Sequence, residues 1–242
     1  MKLIKLDAID STNDFLKSLN NQEQLGNFTM VTAENQTKGK GQRGTSWNSE
    51  VGKNLILSVL IKDFISSNEH VFNLSVISSL AVISVLEQWN IPNLSIKWPN
   101  DIMSYNKKVG GILIENTLKS GGTISSIVGI GLNVNQKDFE SLPKASSLAV
   151  ICNKEFDKFL LPELIATQIQ ELINEWKTQS ENLWKIYFNK LFKKGIPMPF
   201  KNQQQKTFMG IIVGVTPFGH LQVQLEDDSV ASFDIKEIQM LF

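Results

Sequence analysis

A glycine-rich, basic segment, residues 34–53, contains the first side chains in this sequence that suit binding chemistry. Its centre is the run Gly39-Lys40-Gly41-Gln42-Arg43-Gly44, and its cationic residues are Lys38, Lys40, Arg43 and Lys53. Backbone N–H groups in such a run, together with cationic side chains, can surround a phosphate group. A flexible, solvated surface loop is an equally common role for a stretch of this composition. The segment therefore indicates either an anion-binding loop or a solvated connection.

Two established phosphate-binding patterns do not explain this run. It formally matches the dinucleotide pattern G-x-G-x-x-G, but that pattern should follow a strand directly and open a helix. Here five residues separate the predicted strand from Gly39, and residues 45–49 have no helical period. The Walker pattern also fails, because Thr45 stands where lysine is required. Arg43 is the only arginine in the chain, so a forked contact to an anion has one candidate.

The run Lys97-Trp98-Pro99-Asn100-Asp101 is the second candidate site. Pro99 cannot continue a central strand and favours extended geometry at Trp98, which predicts that Asn100 and Asp101 lie on a turn at a strand end. A carboxylate placed there can coordinate Mg²⁺ carried by a nucleotide. An ordinary Asn-Asp turn is the alternative.

Two predicted strands carry glycines where a ligand can approach the backbone. The first, which follows Lys107-Lys108, contains Gly110 and Gly111, and paired glycines weaken a strand unless something packs closely against it. In residues 129–135, alternation places Ile130, Leu132 and Val134 on one face and Gly129, Gly131, Asn133 and Asn135 on the other. A face of glycine and amide groups suits a ligand. The alternatives are a solvated lysine and a half-exposed strand.

A framework of mixed strands and helices has to position these residues. The predicted strands before residue 135 are 3–6, 28–33, 54–61, 95–97, 109–117 and 123–134, the last two joined by Ser120-Gly121-Gly122. The predicted helices are one capped by Ser11, one over 68–89 that is apolar around most of its circumference, and two over 162–176 and 182–192. Ser11 and Thr12 serve either as cap residues or as ligand contacts.

The C-terminal region has a different pattern. Residues 193–199 break the helical periodicity, and short strands are predicted at 207–215, 220–225 and 230–235. This predicts a first domain over 1–194 and a small β-barrel over 195–242.

Composition limits the class of protein. The 242 residues include 24 basic and 24 acidic side chains, so no net field collects nucleic acid or an anionic membrane. Polar residues interrupt every long apolar stretch, which predicts neither a signal peptide nor a membrane span. Cys152 alone cannot form an internal disulfide, which favours a reducing cytoplasm. We assign His70, Cys152 and His220 to structure or surface, and Trp47 alone would more often be a core residue.

In order and spacing, these motifs resemble the catalytic and C-terminal domains of biotin protein ligases. The matching runs are Ser11-Thr12-Asn13, Ala33 to Thr37, Gly39 to Gly44 with Trp47, Lys97 to Asp101, Lys108 with Gly111-Ile112-Leu113, and Gly129 to Asn133. The resemblance implies an α+β fold: a mixed, mainly antiparallel sheet with helices packed on it, as in class II aminoacyl-tRNA synthetases and biotin synthetases. A small SH3-like β-barrel is implied at the C-terminus.

The same resemblance implies an activity. Biotin would be activated by ATP and Mg²⁺ to biotinyl-5′-adenylate and transferred to a lysine of a biotin carboxyl carrier domain. A cytoplasmic monomer or homodimer is implied. No DNA-binding role is expected, because nothing before Leu3 can form a helix-turn-helix.

Roles for individual residues follow from the resemblance alone. The implied catalytic residues are Lys108, Arg43 and Asp101, with Asp101 as the Mg²⁺ ligand. The implied biotin-binding residues are Ser11, Thr12, Asn13, Gln36, Gly39, Lys40, Lys108, Gly111, Gly129 and Gly131. The implied ATP- and adenylate-binding residues are Lys40, Gln42, Arg43, Gly44, Trp47, Asn100, Lys108 and Asn133.

The loop departs from the family in two places. The family usually has arginine where this chain has Lys40, and often again where it has Gln42. Lysine lacks the bidentate fork and glutamine also lacks the charge, so we expect looser adenylate retention unless Arg43 compensates. We also expect residues 34–53 to order over the ligand and exclude water.

Three other functions remain open at this point. The nearest enzyme is a lipoate ligase or acyl transferase of related fold. The others are a non-catalytic module that binds a small ligand and an interaction protein that uses its barrel.

Overall fold

The computed structural model describes residues 1–65, 71–118 and 123–242, apart from the side chain of Arg43. The predicted connection Ser120-Gly121-Gly122, His70 and the first three residues of the predicted helix at 68–89 lie outside the described residues.

A seven-stranded sheet forms the larger part of the described structure. Its strands are β1 (Leu3–Ile9), β2 (Met30–Gln36), β3 (Leu55–Lys62), β4 (Leu94–Lys97), β5 (Asp101–Ser104), β6 (Lys107–Leu118) and β7 (Ile124–Leu132). Their order is β1-β2-β3-β7-β6-β5-β4. β1 and β2 are parallel, and the other neighbouring pairs are antiparallel. The predicted mixed, mainly antiparallel sheet is therefore confirmed.

The helices cover this sheet. They are α1 (Thr12–Gln22), α2 (Val71–Gln88), α3 (Leu148–Cys152) and α4 (Leu161–Asn189). α1 connects the parallel strands β1 and β2, as a crossover connection requires. It begins where the sequence predicts, because the Ser11 side chain accepts a hydrogen bond from the Asp14 backbone N–H.

Helix α2 is the apolar centre of the core. Leu74, Val76 and Ile77 are completely buried, and each contributes about 1.5–3 kcal/mol by leaving water. α2 is long and apolar enough by length and composition to cross a membrane, but 67% of it is buried inside the protein. A core helix meets the same criteria, so packing against α4 accounts for its composition.

Helix α4 corrects one prediction. The sequence predicts two helices, over 162–176 and 182–192, whereas the structure has one element that ends at Asn189. Gln179, between the two predicted helices, has non-helical dihedrals of φ −133° and ψ 28°. The pattern therefore located the break correctly, but the break is a kink within a continuous element.

A five-stranded antiparallel sheet follows α4. Its strands are β8 (Pro197–Asn202), β9 (Thr207–Val215), β10 (Leu221–Gln224), β11 (Val230–Phe233) and β12 (Ile238–Met240), in the order β11-β10-β9-β8-β12. The sequence did not predict β8 or β12. Two prolines lie in β8, which has partners on both sides, so local preference argued against a strand that the sheet nevertheless forms.

Candidate ligand-binding site

A cavity of about 620 Å³ lies between the two sheets. This volume is typical of sites that enclose a small organic ligand. One side is formed by the N-terminus of α1, the glycine-rich loop and the strands β5, β6 and β7. The other side includes Phe200, Lys201, Leu221 and Ile238 of the C-terminal sheet.

The cavity collects residues that are far apart in the sequence. The predicted site residues that line it are Ser11, Thr12, Asn13, Gln36, Lys40, Gln42, Trp47, Asn100, Asp101, Lys108, Gly111, Gly129 and Gly131. Gly39, Gly44 and Asn133 are not among the lining residues, and the Arg43 side chain lies outside the described part of the chain. Lys108 and the glycine-rich loop thus face the same enclosed space.

Asn133 has a structural contact instead of a place in the cavity wall. Its side-chain Nδ2 donates to the Ser146 carbonyl at 3.1 Å, and its backbone N–H donates to the Val109 carbonyl. The residue is 6% exposed. These hydrogen bonds hold the segment before α3 against β6. The strand alternation that predicted a ligand contact for Asn133 does not apply, because β7 ends one residue earlier, at Leu132.

Gly39 allows two backbone segments of the glycine-rich loop to pack closely together. A Cβ atom at this position would lie 2.2 Å from the Trp47 carbonyl oxygen, and the Trp47 N–H donates to the Gly39 carbonyl at 2.9 Å. The absence of a side chain lets these two backbone segments meet. Within the loop, Lys40 forms a bridge with Ser46, and a 3₁₀ turn lies at Gln42–Gly44.

The indole of Trp47 rests on two paired glycines. Gly111 and Gly131 are direct partners in β6 and β7, and Cβ atoms there would lie 3.6 Å and 2.6 Å from the Trp47 ring. The Trp47 Nε1 is buried and has no hydrogen-bond partner in the described part of the structure. A buried N–H without a partner is costly, so a ligand acceptor at this point would be favoured.

A β-bulge explains how Lys108 and Gly111 reach the same cavity. Residues three apart point to opposite faces of a regular strand. In β6, however, Gly110 pairs with Ile102 and Lys108 pairs with Met103, which leaves Val109 unpaired. The extra residue re-aims Lys108 toward the cavity. The sequence predicted Lys108 just before the strand, whereas it lies inside β6.

Asp101 lies between two lysines. Its carboxylate is 2.6 Å from the Lys108 ammonium and 3.2 Å from that of Lys97, and its side chain is 15% exposed. The neighbouring Asn100 is held by its Nδ2, which donates to the Ile112 carbonyl at 2.6 Å. The predicted turn ends one residue earlier than expected, because Asp101 is the first residue of β5.

The lining of the cavity is strongly basic although the chain has no net charge. Among the described side chains, the charged residues that line it are Lys40, Lys97, Lys108, Lys144, Lys201, Lys236 and Asp101. Sequence reasoning missed Lys144, Lys201 and Lys236. The positions of Lys201 and Lys236 depend on how the C-terminal sheet packs, and that of Lys144 depends on the contact of its segment with β6, where the Lys108 N–H donates to the Lys144 carbonyl. Lys40 is paired with Asp14 at 2.7 Å, and this hydrogen bond raises the pKa of the Lys40 ammonium. The surplus of positive charge suits a polyanionic ligand.

A chain of polar side chains crosses one end of the cavity. The Gln36 Oε1 accepts from the Thr12 backbone N–H at 2.7 Å and lies 3.0 Å from the Thr12 hydroxyl. The Ser58 hydroxyl lies 2.8 Å from Thr12 Oγ1 and 2.6 Å from Asn13 Oδ1. Asn13 Nδ2 donates to Glu115 at 2.7 Å. Thr12, Asn13 and Ser58 are each at most 5% exposed, so the middle of this network is shielded from bulk water, whereas Gln36 and Glu115 at its ends are partly exposed.

Two members of this network were missed by sequence reasoning. Ser58 is the single polar residue within the buried aliphatic part of β3, Leu55–Ile61. Glu115 lies two and four residues beyond Leu113 and Gly111, and therefore on the same face of β6. Both signals were present in the sequence, a lone hydroxyl in an apolar strand and a carboxylate in register with a glycine.

No group of three or more His, Cys, Asp or Glu side chains able to hold a metal ion occurs among residues 1–65, 71–118 and 123–242. Mg²⁺ usually binds proteins through one or two carboxylates together with substrate phosphates. Asp101 can supply one such oxygen. The donor set therefore fits an ion that arrives with a nucleotide, and it does not fit a resident metal.

Comparison with known proteins gives consistent matches. The sequence model of the biotin/lipoate A/B protein ligase family matches residues 6–135. The bifunctional ligase/repressor BirA of Bacillus spizizenii is 31% identical over 194 residues, which cover 76% of this chain and 59% of that protein. The biotin–[acetyl-CoA-carboxylase] ligase of Mycobacterium tuberculosis is 29% identical over 157 residues, which cover 64% of this chain and 57% of that protein. The chain thus spans less than two thirds of the length of these relatives.

Among solved structures, the biotin protein ligase from Aquifex aeolicus in complex with biotin and ATP is similar over nearly the whole chain. The TM-score is 0.80 and the sequence identity 26%, with 99% of this chain and 98% of that chain covered. The match includes the C-terminal sheet, which confirms the predicted fold class.

Proposed function

Because the chain belongs to the biotin/lipoate A/B protein ligase family, we propose that it activates biotin with ATP and transfers it to a lysine of a biotin carboxyl carrier domain. Two steps are required. The biotin carboxylate attacks the α-phosphate of ATP, which forms biotinyl-5′-adenylate and releases pyrophosphate. The carrier lysine amine then attacks the acyl carbon, which forms an amide and releases AMP.

The polar network is the observation that most directly supports biotin as the substrate. Three contacts join the oxygens of Gln36, Thr12, Ser58 and Asn13, but only two hydroxyl protons, those of Thr12 and Ser58, are available to fill them. One contact therefore lacks a proton whatever the orientation of the hydroxyls. An N–H group on the cavity side, directed at Asn13 Oδ1 or Thr12 Oγ1, completes the network.

The ureido ring of biotin offers such donors. It has two N–H groups beside one carbonyl oxygen. Gln36 also lines the cavity, and because its Oε1 accepts from the Thr12 N–H, its Nε2 is the end that can donate to the ureido carbonyl. The dithiolane ring of lipoate has no N–H group and leaves the network one proton short. The need for an N–H donor therefore favours biotin over lipoate as the substrate.

The basic end of the cavity supports the reaction with ATP. A carboxylate and a phosphate about 4 Å apart repel by about 4 kcal/mol at an effective dielectric constant of 20. Lys108 is placed to offset this repulsion as charge moves between the two groups, and such contacts accelerate reaction when they strengthen in the transition state. We propose Lys108, Arg43 and Asp101 as the catalytic residues, with Asp101 contributing an oxygen to the Mg²⁺ that accompanies ATP.

The remaining assignments are proposed on the same basis. Ser11, Thr12, Asn13 and Gln36 bind the ureido ring, the glycine-rich loop contacts both biotin and phosphates, and Trp47 covers the adenylate. We propose a catalytic domain over 1–194, a small β-domain over 195–242, and a cytoplasmic location consistent with one cysteine. The oligomeric state is proposed to be a monomer or homodimer.

Pyrophosphate exchange tests the proposal. The protein is incubated with MgATP and labelled pyrophosphate, with biotin or lipoate as the acid. Incorporation of label into ATP is expected with biotin and not with lipoate. Exchange that depends on lipoate, or none with either acid, would contradict the proposal. Mass spectrometry of a carrier domain incubated with the protein, biotin and MgATP then tests transfer.

Absence of catalysis is the second alternative, and one variant separates it from the proposal. Lys108→Ala is expected to lower biotin-dependent exchange by about two orders of magnitude or more while biotin still raises the thermal midpoint. A binding module would show the rise in midpoint for the wild type without exchange.

A further inference from the structure

Within the polar network of Gln36, Thr12, Ser58, Asn13 and Glu115, only the Glu115 side chain is restricted to accepting hydrogen bonds. An ionised carboxylate accepts hydrogen bonds and cannot donate them. Its Oε2 lies 2.7 Å from the Asn13 Nδ2, so the NH₂ group of Asn13 must face Glu115. The Asn13 Oδ1 then has to face Ser58 and the cavity.

The other contacts of Asn13 do not impose this orientation. The Ser58 hydroxyl, 2.6 Å from Asn13 Oδ1, can donate to an oxygen or accept from an NH₂ group. It would therefore tolerate a flipped amide. Gly129 provides the space, since a Cβ there would lie 2.5 Å from Asn13 Oδ1, but it offers no side chain to choose between the two ends. Without Glu115, the Ser58 hydroxyl could bind either end of the Asn13 amide, and nothing else among these contacts would select the Oδ1 end.

We propose that Glu115 is a positioning residue for substrate specificity: it holds Asn13 so that an acceptor oxygen, and not an NH₂ group, faces the ureido N–H of biotin. This inference rests on the proposed function. Glu115 does not line the cavity, whereas Asn13 does, so its effect passes through Asn13. The half-buried carboxylate also lies near Lys40, whose ammonium it attracts.

The predicted consequence is a loss of discrimination and not only a loss of affinity. In Glu115→Gln the new side chain can donate as well as accept, so Asn13 is free to turn its NH₂ group toward the ligand. An N–H of biotin would then meet another donor. A ring oxygen of the ligand at the same position could instead accept a hydrogen bond from the Asn13 NH₂ group.

The experiment compares biotin with its two cyclic carbamate analogues, in each of which a ring oxygen replaces one ureido N–H. Values of kcat/KM are measured in the pyrophosphate exchange assay for wild type, Glu115→Gln and Glu115→Ala. The wild type is expected to prefer biotin over at least one analogue by about 10- to 100-fold, the cost of leaving a buried acceptor unpaired. Both variants are expected to lower that ratio by about tenfold and to raise the KM for biotin, with the KM for ATP unchanged.

A matched control is available on the surface. Glu181→Gln makes the same chemical change at an exposed position of α4, remote in sequence from the network, and should leave every parameter at the wild-type value. Thermal midpoints of all variants establish that each is folded. If Glu115→Gln does not fold, Glu115→Ala makes the same test, because it also removes the acceptor.

The outcomes are distinct. Wild-type discrimination retained in a folded Glu115 variant overturns the positioning role and leaves the ligase proposal intact. Absence of biotin-dependent exchange in the wild type overturns the ligase proposal and the role of Glu115 with it. A reduced ratio with unchanged KM for ATP supports both.

Discussion

The carboxylate of Asp101 lies 2.6 Å from the ammonium of Lys108, at a point where β5 and β6 are joined across a bulge. Asp101 and Met103 are two residues apart and therefore lie on the same face of β5. Asp101 pairs with Gly111 and Met103 pairs with Lys108 across the ladder, so the Lys108 side chain lies on that face as well. Asp101 thereby holds the proposed catalytic ammonium at the cavity, and it also contacts Lys97.

Replacement of Asp101 by asparagine should disturb this arrangement without unfolding the protein. Lys97 and Lys108 would then repel each other with no carboxylate between them, and the proposed contact to the nucleotide-bound Mg²⁺ would lose its negative charge. We expect kcat/KM for MgATP to fall by about 100-fold, the size of effect seen when one preorganised contact to the transition state is removed. Pyrophosphate exchange over a range of MgATP concentrations measures it.

A double-mutant cycle distinguishes coupling from two independent effects. If Asp101 acts mainly by holding Lys108, Lys108→Ala combined with Asp101→Asn should be little worse than Lys108→Ala alone, since contacting residues are not additive. Losses that multiply would show that Asp101 works apart from Lys108.

Much of the framework was predictable because it depends on local signals. The cap at Ser11, the apolar helix α2 and the aliphatic strand β3 each follow from residue types within one element. The kink at Gln179 was also visible as a break in period, although its interpretation as a loop was wrong. A kink and a loop leave the same gap in a helical pattern, and only tertiary packing decides between them.

The parts of the site that were not predicted depend on contacts between elements. The bulge at Val109 cannot be read from β6 alone, because it is defined by the register with β5. Lys201 reaches the cavity through the packing of the C-terminal sheet. Lys144 reaches it because its segment contacts β6, where the Lys108 N–H donates to the Lys144 carbonyl. Asn133 was expected to face a ligand by alternation, but β7 ends at Leu132 and its amide binds Ser146 instead.

Gly131 is predicted to be required for the position of Trp47. A Cβ in Gly131→Ala would lie 2.6 Å from the indole, a distance that forces the ring or the strand to move. We expect kcat/KM for ATP to fall at least about tenfold, because a displacement of about 1 Å in a site can cost 100-fold. Steady-state kinetics of pyrophosphate exchange would test this.

Gly26→Ala is the control for that change, since a Cβ there has nothing within 4 Å. It should leave exchange unaffected. If Gly131→Ala also behaves as wild type, the close packing of Trp47 on β7 is not needed for activity.

Lys40 is predicted to limit how long the adenylate is retained. Its ammonium is a single point of charge that is already paired with Asp14 at 2.7 Å. In Lys40→Arg the guanidinium can contact Asp14 and a phosphate oxygen together. One added hydrogen bond between charged groups slows release by about tenfold. The rate at which free biotinyl-5′-adenylate appears in solution, without a carrier domain, measures this retention.

Lys40→Ala should have the opposite effect and release the adenylate faster than wild type. Lys17→Arg, on the partly exposed side of α1, makes the same lysine-to-arginine change outside the cavity lining and should not alter release. Equal release rates for the arginine and alanine variants of Lys40 would exclude a role for this side chain in retention.

Trp98 is predicted to couple the two sheets to nucleotide binding. Its Nε1 donates to the Gly219 carbonyl at 2.8 Å, and Gly219 lies directly against the Phe72 ring of α2. Trp98→Phe keeps an aromatic ring but removes the donor, which should cost about 1 kcal/mol and lower the thermal midpoint by about 2–4 °C. Because Lys201 and Lys236 enter the cavity from the C-terminal sheet, the KM for MgATP should rise while the KM for biotin stays constant.

Trp89→Phe, whose ring stacks on Phe156 and does not line the cavity, is the control for loss of an indole and should leave both KM values unchanged. Equal changes in both KM values for Trp98→Phe would mean that the contact supports the whole cavity and not the nucleotide end alone.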